Sequence, residues 1–317
     1  MRTRAAVLYG PHTEYKVEEI ELDDPKANEV LVRFVASGMC HSDEHMVTGE
    51  NLCDNGAHLL SGRQEDGTSR HHLLDGTDLA TMCCLGTFAE HSVMNINSLV
   101  KVEEDLPLDK ACLVACGVTT GWGSATYAAE VAPGDTVVVI GTGGVGMNAV
   151  QGAHLAGARY VIALDPVEFK REQAQNFGAT HAAADVAEAQ ALLGELTWGR
   201  MADKVIVTVG EGKGADLESY MGMVGKGGRL VFTAVANMNE NDVQLNLFAF
   251  AMQQKQLVGT IFGSANPRYD IPKLLGLYRS GQLKLDELVT RTYTLDQINE
   301  GYQDMRDGKN IRGVIIH

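Results

Sequence analysis

The chain has 317 residues, of which 45% are hydrophobic and 21% charged, a composition typical of a globular protein with room for two domains. Its net charge of -15 argues against nucleic acid or an anionic membrane surface as the partner. No apolar run reaches the length of a transmembrane helix. We therefore expect a cytoplasmic protein whose six cysteines serve as thiols or metal ligands rather than as disulfides.

The first 35 residues predict closely spaced β-strands. The predicted strands cover residues 4–9, 15–22 and 29–35, and Gly, Pro and Asn residues mark the turns between them. Short strands at this spacing predict a small barrel or sandwich.

A chemically rich segment follows at residues 37–45, with a thiol, two imidazoles and two carboxylates. Such groups are costly to bury unless they bind something. Cys40 is a candidate zinc thiolate, Ser42 a candidate acceptor of an alcohol proton, and His45 a candidate relay toward solvent. The alternative is a surface helix that Ser42 and Asp43 cap at its start.

Residues 50–80 show little apolar periodicity, and residues 63–70 predict an exposed loop. His71 and His72 are expected at the surface, because neighbours in a strand point to opposite faces and would not bind one metal together. A helix predicted from residue 106 continues toward Cys116, which is either a second soft metal ligand or a small core residue. The core or incidental thiols are expected to be Cys83, Cys84 and Cys112.

The strongest pattern in the chain is a strand, a glycine turn, a helix, a second strand and an acid. An apolar run at residues 136–140 leads into Gly-Thr-Gly-Gly-Val-Gly at residues 141–146, here called the glycine turn. A helix is predicted at 145–158, and a second apolar run at 161–164 ends at Asp165. This order is typical of a dinucleotide-binding βαβ unit.

Each glycine of the turn has a physical task. Gly141 permits the tight turn out of the strand, Gly143 lets a pyrophosphate approach the backbone, and Gly146 lets the helix pack closely on the strand. The helix N-terminus offers N–H groups and a partial positive charge to phosphates. The residues expected against the dinucleotide are Gly141, Gly143, Gly144, Val145 and Gly146.

The acid at the end of the second strand predicts which dinucleotide binds. Asp165 lies 24 positions after Gly141, where a carboxylate can accept both ribose hydroxyls and would repel a 2′-phosphate, so NAD is favoured over NADP. Lys170, in a helix predicted from residue 168, is expected to reach the adenosine ribose. The alternative is a glycine turn without a ligand.

Strands and helices alternate through the middle of the chain. With three further predicted strands at 204–209, 228–233 and 256–262 and a short one near His181, they predict a six-stranded, doubly wound parallel sheet. The predicted domains are residues 1–119, the nucleotide-binding domain 120–262, and a return to the first domain at 263–317.

Together these motifs resemble the zinc-dependent medium-chain alcohol dehydrogenases, in particular the N,N-dimethyl-4-nitrosoaniline-dependent nicotinoproteins. Residues 38–43 are similar to the first zinc-ligand loop of that family, and residues 116–121 to the loop that holds its last zinc ligand. The resemblance places His41 and Arg312 at the pyrophosphate and Thr120 against the nicotinamide. It covers nearly the whole chain and implies an α/β fold with a doubly wound Rossmann domain and a GroES-like β-rich catalytic domain.

The resemblance also implies an activity, namely hydride transfer from a primary alcohol to NAD. Zinc held by Cys40 and Cys116 would polarise the alcohol, Ser42 would accept its proton and His45 would relay it. NAD and zinc are the implied cofactors, and a small alcohol or aldehyde is the implied substrate. We expect a homo-oligomer, with the apolar strand at 256–262 as its edge of contact.

The family pattern is broken after Glu50. A relative would continue with a Gly-His-Glu motif that supplies a zinc-ligand histidine, and then with a four-cysteine lobe for a structural zinc. Here Glu50 runs directly into residues 51–56, which resemble only the segment around the fourth cysteine, and Cys53 alone cannot hold a tetrahedral zinc.

Two explanations of this break stay open at the level of sequence, a genuine internal deletion or an omitted segment. Two alternative functions also stay open. One is a catalytically impaired NAD-binding protein, and the other is a zinc-free NAD(P)H:quinone-type reductase.

Overall fold

A computed structural model describes residues 1–40, 61–237 and 239–317. These residues form two compact units, a smaller one of residues 1–113 with 289–317 and a larger one of residues 114–288. In the described part of the chain, no helix is both long and apolar enough to cross a membrane.

The secondary structure of the described residues alternates between short strands and helices. The strands are β1 (Arg2–Val7), β2 (Lys16–Leu22), β3 (Glu29–Arg33), β4 (Ala36–Gly38), β5 (His71–Leu73), β6 (His91–Asn95), β7 (Thr136–Ile140), β8 (Tyr160–Leu164), β9 (His181–Ala183), β10 (Ala202–Val207), β11 (Val224–Phe232), β12 (Gln256–Gly259), β13 (Val289–Tyr293) and β14 (Arg312–Ile316). The α-helices are α1 (Leu108–Ala111), α2 (Gly117–Gly123), α3 (Gly144–Leu155), α4 (Glu168–Asn176), α5 (Val186–Leu196), α6 (Leu217–Gly222), α7 (Leu247–Met252), α8 (Pro267–Arg279) and α9 (Ile298–Arg306). A π-helical turn, Ser124–Ala128, continues α2 directly.

The smaller unit is rich in β-structure, as its N-terminal sequence predicts. β1, β2 and β5 form one antiparallel sheet, β3 pairs with β6, and β14 lies between β13 and β4. Alternate residues of β1 and β2 are buried, so that Ala5, Val7, Ile20 and Leu22 form one apolar cluster. The alternation of residues along these strands therefore arises because each strand buries one of its faces.

The prediction of an exposed loop at residues 63–70 is wrong at its C-terminal end. The side chain of Arg70 is 1% exposed, and its Nε and Nη2 donate to the two carboxylate oxygens of Glu29 at 2.8 and 2.7 Å. Its Nη2 also donates to Asp66 at 2.9 Å. The polar composition of this segment reflects a buried ion pair between Arg70 and Glu29, with the exposed Asp66 as a second partner of Arg70, because paired charges can be buried where single ones cannot.

The expectation that His71 lies at the surface is also wrong. His71 is 3% exposed, and its Nε2 lies 2.9 Å from the Ser92 hydroxyl, which donates its own proton to the carbonyl of Leu85 at 2.6 Å. Nε2 of His71 must therefore be the protonated nitrogen that donates to Ser92. His72, the next residue, is partly exposed beside Asp78. One residue of the pair thus faces the core, which the sequence pattern did not distinguish.

Burial makes His71 a determinant of acid stability. Burial, more than the nearby His72 and Arg70 and against the opposing effect of Asp23, lowers the pKa of His71 to about 4. An unfolded histidine titrates at about 6.5, so the unfolded chain binds more protons between these values and stability falls as pH drops through this window. Between pH 7 and pH 4, we expect the stability of His71→Gln to fall by about 3 kcal/mol less than that of the wild type.

Urea unfolding of the wild type and the variant at a series of pH values measures this difference. His12→Asn, at an exposed position, is the matched control and should keep the wild-type slope of stability against pH. A His71→Gln profile parallel to the wild type would show that His71 does not titrate with unfolding.

The larger unit contains the predicted six-stranded sheet, with all strands parallel in the order β12-β11-β10-β7-β8-β9. All five residues of the central strand β7 are buried, because helices cover both faces of such a sheet. The change of winding direction falls at β7 and β10, so the crevice between their carboxyl ends is where a doubly wound sheet binds its ligand. The predicted doubly wound fold is confirmed.

The limits of this unit differ from the predicted boundaries after residues 119 and 262. Residues 114–119 and 263–288 belong to the larger unit. The reason is close packing, because a Cβ at Gly263 would lie only 2.3 Å from the carbonyl oxygen of Thr120. In addition, the hydroxyl of Tyr127 donates to the carboxylate of Asp270 on α8. The segment after β12 is thus attached to the helix that precedes β7.

Candidate functional site

The glycine turn joins the central strand to a helix that no side chain caps. β7 ends at Ile140, and α3 begins at Gly144 with Gly143 as its N-cap and without a capping side chain. Gly141 has a φ of +84°, and a Cβ there would lie 2.9 Å from the backbone of Val209. Only glycine satisfies both conditions, and the turn directs the free N–H groups of α3 toward the carboxyl end of the sheet.

The other two glycines of the motif have opposite surroundings. A Cβ at Gly146 would lie 1.9 Å from the carbonyl oxygen of Gly141, so Gly146 is required by packing within the protein. A Cβ at Gly143 would have no atom within 4 Å. Protein packing therefore does not explain a glycine at 143, whereas a pyrophosphate seated on the helix N-terminus does. The residues present fit a dinucleotide.

Asp165 follows β8 and connects the glycine turn to the next helix. It is 4% exposed, its Oδ2 accepts the N–H of Thr142 at 2.8 Å, and its Oδ1 accepts the N–H of Val167 at 2.9 Å. Each carboxylate oxygen has a second acceptor position, so the group can still bind a pair of ribose hydroxyls. The two backbone donors hold the carboxylate in one orientation.

Two cations stand on the helix that follows Asp165. Lys170, predicted to reach the ribose, is partly exposed on α4. Arg171 was not singled out from the sequence, although its Nη1 donates to the carbonyl oxygens of Asp165 and Pro166, both at 2.8 Å. The only sequence signal for Arg171 is a cation six positions after the acid.

Thr120 lies on α2, and hydroxyl groups hold its carbonyl. Ser124 donates to the carbonyl oxygen of Thr120 at 2.7 Å, and its own oxygen lies 2.9 Å from the hydroxyl of Thr233, just after β11. Since the Ser124 proton is used on Thr120, Thr233 is the donor of the second bond. Ser124 begins the π-helical turn, a feature frequent at functional sites.

Helix α2 also packs against the helix of the glycine turn at backbone distance. A Cβ at Gly121 would lie 2.0 Å from the carbonyl oxygen of Val145, in the first turn of α3. Any side chain at residue 121 would therefore push the two helices apart. This contact holds Thr120 at a fixed position relative to the glycine turn, a role of Gly121 that its sequence context does not indicate.

The predicted metal ligands belong to different units. Cys116 is exposed and is the N-cap of α2 in the larger unit, whereas Cys40 is partly buried and follows β4 in the smaller unit. Arg312, predicted at the pyrophosphate, is 8% exposed and its Nη1 donates to the carbonyl of Met39 at 2.9 Å. Arg312 thereby supports the residue next to Cys40.

Within the described residues, no group of three or more His, Cys, Asp and Glu side chains is arranged to hold a metal. Two thiols are half of a tetrahedral zinc shell, so the described residues do not by themselves form a zinc site. The further predicted residues His41, Ser42 and His45, and also Cys53, lie outside the described residues.

Cys112 is a thiol that the structure separates from this chemistry. Its Sγ donates to the carbonyl of Asp109 at 3.4 Å, and burial raises the pKa of the Cys112 thiol to about 12. A thiol with such a pKa stays neutral at physiological pH, and neutral thiols are poor metal ligands.

Solved structures with the same architecture include dehydrogenases. The chain superimposes on an alcohol dehydrogenase zinc-binding domain protein from Burkholderia ambifaria with a TM-score of 0.91 and 23% identity, covering 100% of this chain and 99% of the other. Benzyl alcohol dehydrogenase from Acinetobacter calcoaceticus gives 0.89 and 23%, with the same coverage. The fold is therefore that of the medium-chain dehydrogenases, a Rossmann domain with a GroES-like β-rich domain, as predicted.

Relatives at higher identity define the family. Residues 144–280 match the sequence model described as zinc-binding dehydrogenase. The chain is 45% identical to the NDMA-dependent alcohol dehydrogenase of Amycolatopsis methanolica, covering 100% of this chain and 99% of the relative. It is 44% identical to alcohol dehydrogenase B of Mycobacterium tuberculosis, covering 99% and 98%. The chain belongs to the zinc-binding dehydrogenase family of medium-chain alcohol dehydrogenases, and the predicted resemblance is confirmed.

The alignment with the Amycolatopsis protein also bears on the break in the family pattern. It spans 369 positions, whereas this chain has 317 residues, so at least 52 positions hold a residue only in the relative. The relative therefore carries at least 52 residues that have no counterpart in this chain, and their place after Glu50 stays a prediction.

Proposed function

We propose that this protein is an NAD-dependent alcohol dehydrogenase that transfers a hydride from a primary alcohol to the nicotinamide ring. The observation that carries the proposal is the arrangement of the glycine turn and Asp165, with Thr142 N–H and the Asp165 carboxylate 2.8 Å apart. Full-length identity of 45% to a protein named an alcohol dehydrogenase supports the same activity.

The contribution of the chain's own residues is mainly the positioning of the dinucleotide. When bound, NAD supplies the hydride acceptor. The N-terminus of α3 and the open space at Gly143 receive the pyrophosphate, and Asp165 receives the adenosine ribose hydroxyls. Lys170 lies beside that ribose. Thr120, with its carbonyl held by Ser124, supports one face of the nicotinamide.

The remaining roles rest on family resemblance and are part of the proposal. Ser42 takes the alcohol proton and His45 relays it, while His41 and Arg312 contact the pyrophosphate. Zinc is the proposed metal, with Cys40 and Cys116 as two of its ligands.

We also propose that NAD stays bound between turnovers and is reoxidised in place by a second substrate. The support is the name of the Amycolatopsis relative, which is NDMA-dependent. In such a cycle, bound NAD would supply the hydride acceptor for the alcohol and then the hydride donor for the nitroso compound.

The assembly that we propose is a homo-oligomer in the cytoplasm. β12 is an edge strand of its sheet, and the neighbouring helix α7 exposes Leu247, Phe248 and Met252, each more than 65% exposed. An apolar surface of this kind beside an edge strand suits a second copy related by two-fold symmetry. Light scattering coupled to gel filtration tests the oligomeric state.

A direct test combines nucleotide analysis, metal analysis and turnover on the purified full-length chain. We expect NAD in the supernatant of the denatured protein, or tight binding of added NAD, together with about one zinc per chain. In the presence of the purified protein, primary alcohols should bleach N,N-dimethyl-4-nitrosoaniline. NAD binding without turnover toward any alcohol would overturn the catalytic proposal, and failure to bind NAD would overturn the cofactor assignment as well.

A further inference from the structure

In the segment from Asp165 into α4, the Asp165 carboxylate and the guanidinium of Arg171 lie close together. Nη1 of Arg171 uses both of its protons on the carbonyls of Asp165 and Pro166, each at 2.8 Å. A guanidinium has five N–H donors, so the three on Nε and Nη2 are left. They have no hydrogen-bond or ion-pair partner among the described residues.

This cation is positioned by the same residue that selects the cofactor. Arg171 binds the main-chain oxygen of Asp165, and the side chain of Asp165 is fixed by Thr142 and Val167. The guanidinium therefore lies within one residue's length of the carboxylate that faces the ribose. Two acidic neighbours on α4, Glu168 and Glu172, are exposed and form no ion pair with it in the described part of the chain.

We propose that Arg171 is a specificity-determining residue. Its guanidinium is positioned to bind a 2′-phosphate, and the Asp165 carboxylate prevents that phosphate from binding in the natural chain. The inference rests on the proposed function, since it assumes that the ribose of the dinucleotide lies at Asp165. The carboxylate accepts ribose hydroxyls and repels a 2′-phosphate, so the natural chain takes NAD. Without that carboxylate, the free donors of Arg171 face the 2′-position and favour NADP.

Arg171 suits this role better than Lys170 for two physical reasons. Its guanidinium is held by two carbonyls, so little side-chain entropy is lost when a phosphate binds. It is also planar and presents paired donors that match phosphate oxygens, whereas an ammonium acts as a point charge. Lys170 has no described partner that fixes its ammonium group.

The test compares the full-length wild type with Asp165→Ser, Arg171→Ala and the double variant, each freed of endogenous nucleotide. Serine is chosen because its hydroxyl can still accept the N–H of Val167. Calorimetry with NAD and NADP gives the ratio of affinities, and 5′-AMP with 2′,5′-ADP isolates the phosphate subsite. Asp165→Ser combined with Lys170→Ala is the matched control.

We expect Asp165→Ser to raise the affinity for 2′,5′-ADP relative to 5′-AMP by about tenfold or more, the value of a charge-assisted hydrogen bond. The gain should disappear when Arg171→Ala is added and persist with Lys170→Ala. It should also shrink below about pH 6, where the phosphate takes up a proton. If the serine variant does not fold, Asp165→Gly replaces it.

The inference is overturned if the double variant keeps the gain, if Lys170→Ala removes it, or if no gain occurs. These outcomes are distinct from a failure of the proposed function. If the proposed function fails, the wild type binds neither NAD nor 5′-AMP. If only this inference fails, the wild type binds both, and only the affinity of the variants for the 2′-phosphate differs from the expected result.

Discussion

Alanine at Gly143 is expected to leave the protein as stable as the wild type and to weaken NAD binding by at least about tenfold, which corresponds to about 1.4 kcal/mol. The backbone at Gly143 has a φ of -71°, which alanine adopts without strain, and the added Cβ would have no atom within 4 Å. The methyl group would instead occupy the space into which we place the pyrophosphate. Calorimetric titration with NAD and urea unfolding measure the two quantities.

Gly146→Ala is the matched comparison within the same turn. There the Cβ would lie 1.9 Å from the carbonyl oxygen of Gly141, so the turn or the helix must move. We expect this variant to be destabilised by about 1–3 kcal/mol, as in other overpacked sites, before any effect on the ligand. Unchanged NAD affinity in Gly143→Ala would show that the pyrophosphate does not bind at this turn. A stability loss in Gly143→Ala equal to that in Gly146→Ala would show that packing within the protein requires the glycine at 143.

Cys40→Ser is expected to reduce alcohol oxidation by at least about 100-fold, since Cys40 is one of the two ligands that we propose for zinc, and a bound zinc would supply several kcal/mol of stabilisation to the reacting oxygen. Serine is a much weaker zinc ligand than a thiolate, so the zinc content should fall with the activity. NAD binding should persist, because the glycine turn and Asp165 belong to the larger unit and Cys40 to the smaller.

Cys112→Ser is the control for this prediction. Its thiol is neutral and donates to the carbonyl of Asp109, and a serine hydroxyl can make the same bond. Wild-type activity and zinc content are therefore expected. Retention of turnover in Cys40→Ser would contradict the assignment of Cys40 as a metal ligand, and loss of NAD in that variant would show that the two functions are not separable.

The sequence predicts the strand, turn and helix of the glycine turn because these elements are adjacent along the chain. The contact that requires glycine at 146, with the carbonyl oxygen of Gly141, is equally local. Apolar runs predicted the parallel strands for the same reason, since the buried strand β7 is apolar at nearly every position.

Tertiary structure alone decided the features that depend on distant partners. Arg70 is buried because Glu29, 41 positions away, neutralises it, and His71 because Ser92 accepts its proton. As polar residue types, Arg70 and His71 predicted an exposed surface, because the sequence does not show which polar side chains pair in the folded chain. The role proposed for Arg171 likewise depends on a contact that only the structure shows, the hydrogen bond from its guanidinium to the Asp165 carbonyl. The sequence by itself determined the nucleotide motif, whereas long-range pairing determined which polar residues surround it.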